Sequence, residues 1–129
     1  MILATINRAL MGCSGGGFVT ACCARFGPDG TGTGAGHPAP YREGLEVEVE
    51  AGWPLGIVAG AKYSESVTRG ERFRFISDGV LEAANADHEL FSFDRSREII
   101  GKSAQEIAEA ARIWGQNDDT TVVTVRRTA

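Results

Sequence analysis

Two acidic spots in this sequence stand where chemistry could be done. Asp78 follows a β-prone run over residues 72–77 and precedes Gly79, so a carboxylate falls at a strand end where the backbone can turn sharply. Asp118-Asp119 stands just ahead of a β-branched run over 121–126, in Gln116-Asn117-Asp118-Asp119-Thr120-Thr121. Carboxylates at strand ends can meet at one rim of a sheet. Hard cations such as Mg²⁺ or Mn²⁺ take oxygen ligands, usually one or two carboxylates plus waters. Each spot alone also reads as ordinary turn sequence, since Asp-Gly is a common hairpin signal and Asp-Asp-Thr a good turn or cap. From spacing alone, turn chemistry is the commoner meaning.

Other candidates carry less. His37 precedes Pro38 in a turn, where a structural role for the ring outweighs catalysis. His88 lies in the polar run Asn85-Ala86-Asp87-His88-Glu89 and reads as solvated. Gly15-Gly16-Gly17 precedes a strand rather than opening a helix, which argues against a phosphate cradle. Glu82 reads either as reaching the site rim or as capping a short helix, and the sequence does not choose.

The elements that must position these residues follow from periodicity. Residues 1–11 read as a helix, with Ile2, Leu3, Ile6, Ala9 and Leu10 on one face. Residues 18–26 read as a buried strand, turned by Gly27-Pro28-Asp29-Gly30 into a glycine-weakened partner over 31–36. Strict alternation over 45–50 predicts a half-exposed strand, with Glu46, Glu48 and Glu50 on its solvated face. Gly52-Trp53-Pro54-Leu55-Gly56 is a loop with a hydrophobic anchor. Residues 63–68 and 72–77 read as two strands joined by a tight turn at Arg69-Gly70, with Phe73 and Phe75 facing the core. Ser103-Ala104-Gln105-Glu106 has capping-box spacing. The helix it opens buries Ala104, Ile107, Ala108, Ala111 and Trp114 and can end at Gly115. About seven strands, with helices early and late, make an α+β pattern with mostly antiparallel sheet.

Composition narrows the function classes. A 129-residue chain with 43% hydrophobic and 23% charged residues suits one ordinary domain. A net charge of −4, with acids and bases interspersed, offers no basic field for nucleic acid. No apolar run approaches the length that would insert in a membrane. Cys13, Cys22 and Cys23 fit neither a disulfide framework nor a zinc site, and read as reduced thiols of a cytoplasmic protein.

Taken in order, several segments resemble one family. Phe18-Val19-Thr20-Ala21 followed by Phe26-Gly27-Pro28-Asp29-Gly30, then Ala35-Gly36-His37-Pro38-Ala39-Pro40 and Pro54-Leu55-Gly56, are similar to segments of the stage II sporulation protein E branch of the PPM (type 2C) protein phosphatases. Ser77-Asp78-Gly79-Val80-Leu81-Glu82-Ala83 resembles its Thr/Ser-Asp-Gly-Val-x-Glu-Ala motif, and Asp118-Asp119-x-Thr121 its terminal Asp-Asp-x-Thr. Five ordered matches over nearly the whole chain make the resemblance specific.

The resemblance implies an α+β fold that is part of a four-layer αββα sandwich with antiparallel sheets. It implies hydrolysis of phosphoserine or phosphothreonine in a regulatory protein, such as a phosphorylated anti-sigma-factor antagonist in bacterial partner switching. Two Mn²⁺ or Mg²⁺ ions serve the family, and at most one would be well held here. Asp78 and Asp118 would ligate the same metal, with Gly79, Asp119 and Thr121 supporting. The family's bridging Asp belongs to an earlier Asp-Gly and Gly-His-Gly motif, and residues 1–17 contain no acid. The expectation is therefore a single, N-terminally truncated phosphatase domain over 1–129, its first strands missing, that needs upstream sequence for activity. A sheet edge so exposed would favour a homodimer. The alternative is a non-catalytic pseudophosphatase that binds a protein partner. Arg74 departs from the family, which has an apolar residue there, and suggests a less covered second face.

Overall fold

The opening helix buries only part of the hydrophobic stripe read from its sequence, Leu3 and partly Leu10, and adds Asn7 to it. In the computed structural model, α1 (Ile2–Leu10) turns Leu3 and Asn7 inward, at 2% and 1% exposure, and leaves Ile2 60% exposed. The reason is the loop that α1 packs on. Asn7 Nδ2 donates to the Val58 carbonyl at 2.9 Å, and its Oδ1 accepts from the Gly56 N–H at 2.8 Å. Those backbone groups need a polar partner inside, and an i, i+4 pair shares one helix face. The structure describes residues 2–13, 15, 17–28, 31–36 and 38–128, with the backbone alone for 31–36. The readings placed on Asp29, Gly30 and His37, and on Ser14 and Gly16, lie outside them.

The chain divides into two compact units, Met1–Ala39 with Val47–Arg69, and Pro40–Glu46 with Gly70–Ala129. The first holds α1 and a sheet of β1 (Cys22–Phe26), β2 (Thr31–Gly36) and β5 (Ser66–Arg69), with β2 in the middle. The two strands expected on either side of residues 27–30 pair antiparallel, Cys22 with Gly36 and Phe26 with Gly32. The strand expected from residue 18 starts only at Cys22, and Phe18 and Phe26 are exposed rather than buried. Val19 instead bridges Leu55, whose buried side chain, rather than Trp53, anchors the 52–56 loop. Leu3, Leu55 and Tyr63 form this unit's small core.

The second unit holds β3 (Tyr41–Arg42), β4 (Leu45–Glu46), β6 (Arg72–Ile76) and β7 (Val122–Arg126) in the order β4-β3-β6-β7. Its helices are α2 (Asp78–Leu81), α3 (Ser92–Ile99) and α4 (Ala104–Gly115). Tyr41, Ile76, Val80, Leu81, Ala83, Phe91, Ile100, Ile107 and Ala111 pack into one core. The capping box opens α4 as its spacing predicts: Ser103 Oγ accepts from Glu106 N at 3.2 Å, and Glu106 Oε2 accepts from Ser103 N at 2.9 Å. Helix α3 was not signalled in the sequence, because its segment is strongly polar and buries only Ser96. All ladders between the described strands are antiparallel, and with four helices and seven strands among the described residues the chain is α+β.

Three sequence expectations need correction here. The alternating run 45–50 is a strand only at Leu45–Glu46, after which Val47 is buried and the chain leaves the ladder. Strands β5 and β6 are not a hairpin but belong to separate sheets. The N–H groups of Glu71 and Arg72 both donate to Glu43 Oε1, at 2.8 and 2.9 Å, which takes the donors a hairpin turn would use. Glu43 can reach them because it and Gly44, at φ 49° and 86°, form the tight β3–β4 turn. Arg74 does not mark an uncovered face: it is 5% exposed, donates from Nε to Thr124 Oγ1 at 3.0 Å, and donates from its guanidinium to the Ile100 carbonyl.

Candidate functional site

The register of β6 against β7 decides where the acids go. Pairing runs from Arg72 with Arg126 to Ile76 with Val122, so both acidic segments leave the ladder at the same end. One step beyond it, Ser77 N donates to the Thr121 carbonyl at 2.9 Å, and Thr121 N donates to Ser77 Oγ at 2.9 Å. Asp78 then opens α2, whose Val80 and Leu81 are buried in the core and fix the direction of the turn.

Gly79 brings the second acidic segment against the first. A Cβ there would be driven into the Asp119 carbonyl oxygen and would stand 3.0 Å from the Asp119 carbonyl carbon and 3.6 Å from the Asp118 oxygen. Only glycine permits so close a backbone approach. The other end of the acidic loop is set by Gly115, at φ 143°, where a Cβ would collide with the Ala84 carbonyl. Ala84 N donates to the Gly115 carbonyl at 3.0 Å, so the end of α4 is held on the chain that follows α2.

Within this frame Asp78 is half-buried, and Asp118 and Asp119 are exposed. Asp78 Oδ1 accepts from Gly79 N at 3.0 Å, and Asp118 Oδ1 accepts from Asp119 N at 2.7 Å. Each carboxylate keeps an oxygen with no such local bond. Asp118 and Asp119 line a shallow polar cleft with Arg112, Gln116 and Asn117, whereas Asp78 is not among its walls. Arg112 is engaged there by Glu109, to which its Nε and Nη2 donate at 2.8 and 2.6 Å. That bond holds the Glu109 carboxyl below the usual carboxylate range and raises the guanidinium in turn. Between the acids and β7, the Thr120 hydroxyl is buried without a hydrogen-bond partner.

The structure thus joins the segments carrying Asp78, Gly79, Asp118, Asp119 and Thr121, all within the second unit. Thr121 contributes through its backbone, and Asp119 through the carbonyl beneath Gly79. His88 is exposed at the turn that Asn85 organises through bonds from Asp87 N and Glu89 N, and Glu82 is exposed at the end of α2. The sequence reading named Ser77 only as the first residue of the Thr/Ser-Asp-Gly motif, with no role of its own, and did not single out Thr120. Asp78, half-buried at the start of α2, and Asp118, exposed in the loop before β7, are oxygen donors of the kind a hard divalent cation takes. Among the described residues, no group of three or more His, Cys, Asp or Glu is arranged to hold a metal.

The fold is α+β with both acidic segments at one end of the β6–β7 ladder, and a comparison with family models specifies the family. The model for Stage II sporulation protein E (SpoIIE) matches residues 1–128, and the chain belongs to that family. The family is one of metal-dependent phosphatases, associated with sporulation signalling and with protein substrates. No curated protein and no solved structure matched the chain. No helix among the described residues is long and apolar enough to cross a membrane.

Proposed function

We propose that this chain contributes the Asp78 and Asp118 carboxylates to one Mn²⁺ or Mg²⁺ of a phosphatase site that hydrolyses phosphoserine or phosphothreonine in a regulatory protein. The observation that carries this reading is the joining of the two acidic segments by Gly79 and by the Ser77–Thr121 bonds. When bound, the metal would activate water and neutralise charge on the phosphoryl group. The chain's own part is to hold two carboxylates at one rim and keep the loop between α4 and β7 from moving away. Both units belong, in this reading, to one phosphatase domain. Its substrate is a phosphorylated switch protein, such as an anti-sigma-factor antagonist in the bacterial cytoplasm. The first acid of the sequence is Asp29, so a bridging carboxylate from an earlier motif is not among these residues.

Calorimetric titration with Mn²⁺ tests the ligands. Saturable binding that Asp78→Asn and Asp118→Ala both weaken is expected, and identical heats for all three proteins would sink the assignment. Phosphate release from a phosphoserine-bearing antagonist protein tests the activity, for this chain and for the longest product of its reading frame. One observation favours a second reading, a non-catalytic relative that binds a protein partner: the described residues include no three-ligand cluster. Partner capture without turnover by the longer product would establish it.

A further inference from the structure

At the last step of the β6–β7 ladder a side chain does the work of a backbone carbonyl. A hydrogen-bonded antiparallel pair exchanges two N–H···O=C bonds. Ser77 and Thr121 make only one of them, from Ser77 N to the Thr121 carbonyl. The reciprocal donor, Thr121 N, goes instead to Ser77 Oγ at 2.9 Å. This leaves the Ser77 carbonyl to accept from Val80 N at 3.1 Å, the bond that begins α2. A serine at a helix N-cap ordinarily turns its hydroxyl on its own helix. Ser77 occupies that position with no such cap bond, its hydroxyl committed to the other acidic segment.

We infer that Ser77 is a positioning residue for the metal site, an inference that rests on the reading of Asp78 and Asp118 as ligands. Its hydroxyl lets the chain leave the strand and start α2 at Asp78 while still gripping the residue that follows the Asp118 loop. Without the hydroxyl, Thr121 N–H is left unpaired or the Ser77 carbonyl returns to the ladder and α2 loses its first turn. Either way Asp78 shifts against Asp118.

The test compares Ser77→Thr with Ser77→Val, which share a shape and differ in the hydroxyl. Calorimetric titration with Mn²⁺ should give Ser77→Thr the wild-type affinity and Ser77→Val about tenfold weaker binding, the usual scale for residues that orient ligands. Equal affinities in the two variants, with only the unfolding temperature of the metal-free valine variant lowered, would make Ser77 merely structural and overturn the inference. Should Ser77→Val not fold, Ser77→Cys carries the comparison, because a thiol is a weak acceptor. Several-fold weaker binding supports the inference, and wild-type affinity overturns it. Asp78→Asn in the same series separates the two levels. If it binds Mn²⁺ as the wild type does, the ligand assignment fails and the role of Ser77 with it. If it binds more weakly while the valine and threonine variants agree, only Ser77 falls.

Discussion

The two units of this chain are built from similar sheets but differ in what fills them. Pro40–Glu46 with Gly70–Ala129 buries nine hydrophobic side chains in one cluster, fed by β3, β6, α2, α4 and the two residues that flank α3. Among the described residues, Met1–Ala39 with Val47–Arg69 clusters only three, beside a cavity of about 240 Å³ walled in part by Leu3, Leu55 and Tyr63 and by a 62% exposed Trp53. Its central strand, Thr31–Gly36, has the sequence Thr-Gly-Thr-Gly-Ala-Gly. The acids at positions 78, 118 and 119 all lie in the densely filled unit. A site that depends on two loops keeping one relation needs such a core, because packed interiors transmit displacement rather than absorb it.

The largest expected effects break that frame directly. Gly79→Ala and Gly115→Ala each press a methyl group into a carbonyl oxygen, and each should cost about 3 kcal/mol or more. Denaturant unfolding measures the loss. Gly79→Ala should also abolish Mn²⁺ binding, whereas a wild-type titration would show that the contact is not needed.

Core truncations sharpen the contrast between the units. Ile107→Ala should cost about 3–4 kcal/mol, because Ile107 is fully buried among side chains that cannot close the gap. Leu3→Ala should cost about 2 kcal/mol, since its few neighbours can collapse beside an existing hollow. Equal losses would remove the distinction. Hydrogen exchange gives the same comparison without mutation, with β6 and β7 amides expected to exchange more slowly than those of β1 and β5.

An effect no larger than that at Leu3 is expected at Asn7. Asn7→Ala strands the Gly56 N–H and the Val58 carbonyl, at a cost of about 2 kcal/mol. A hydrophobic replacement that fully restored stability would show the bonds to be dispensable.

The smallest effect is a pH dependence. Bonds from the backbone N–H groups of Arg72 and then Glu71 hold the Glu43 carboxyl below the usual carboxylate range, and bonds from Ser103 do so for Glu106. A carboxyl with a lowered folded pKa adds stability that is present above its unfolded value, about 4.3, and is lost as pH falls through the folded one. Unfolding temperature should therefore drop in acid below about pH 4, and less steeply in Glu43→Gln and Glu106→Gln. An unchanged slope in the double variant would place the acid sensitivity elsewhere.

Much of the second unit was legible in the sequence because its signals are local. The Ser103–Glu106 box, the stripe through Ile107 and Ala111, and the β-branched run before Arg126 each determine an element from a few neighbouring side chains. The ordered motifs were enough to point to the family. Asp78-Gly79 and Asp118-Asp119 were readable as acids at strand ends by the same local logic. Where the sequence reading failed, a distant partner had intervened. Asn7 is inside because Gly56 and Val58 present backbone groups to it, and Arg74 is covered because the Ile100 carbonyl and the Thr124 hydroxyl accept hydrogen bonds from its guanidinium. Strands β5 and β6 separate because Glu43 takes the donors between them.

The acids show the same division of labour. The sequence by itself determined which carboxylates are available and that each follows or precedes a strand. Only the tertiary structure decided that they share one end of the β6–β7 ladder, that Gly79 must lack a side chain against Asp119, and that the Ser77 hydroxyl completes the ladder in place of a carbonyl. The physical reason is that a hydrogen-bond partner forty-four residues away leaves no mark on local periodicity, yet it fixes position as firmly as any neighbour in the chain.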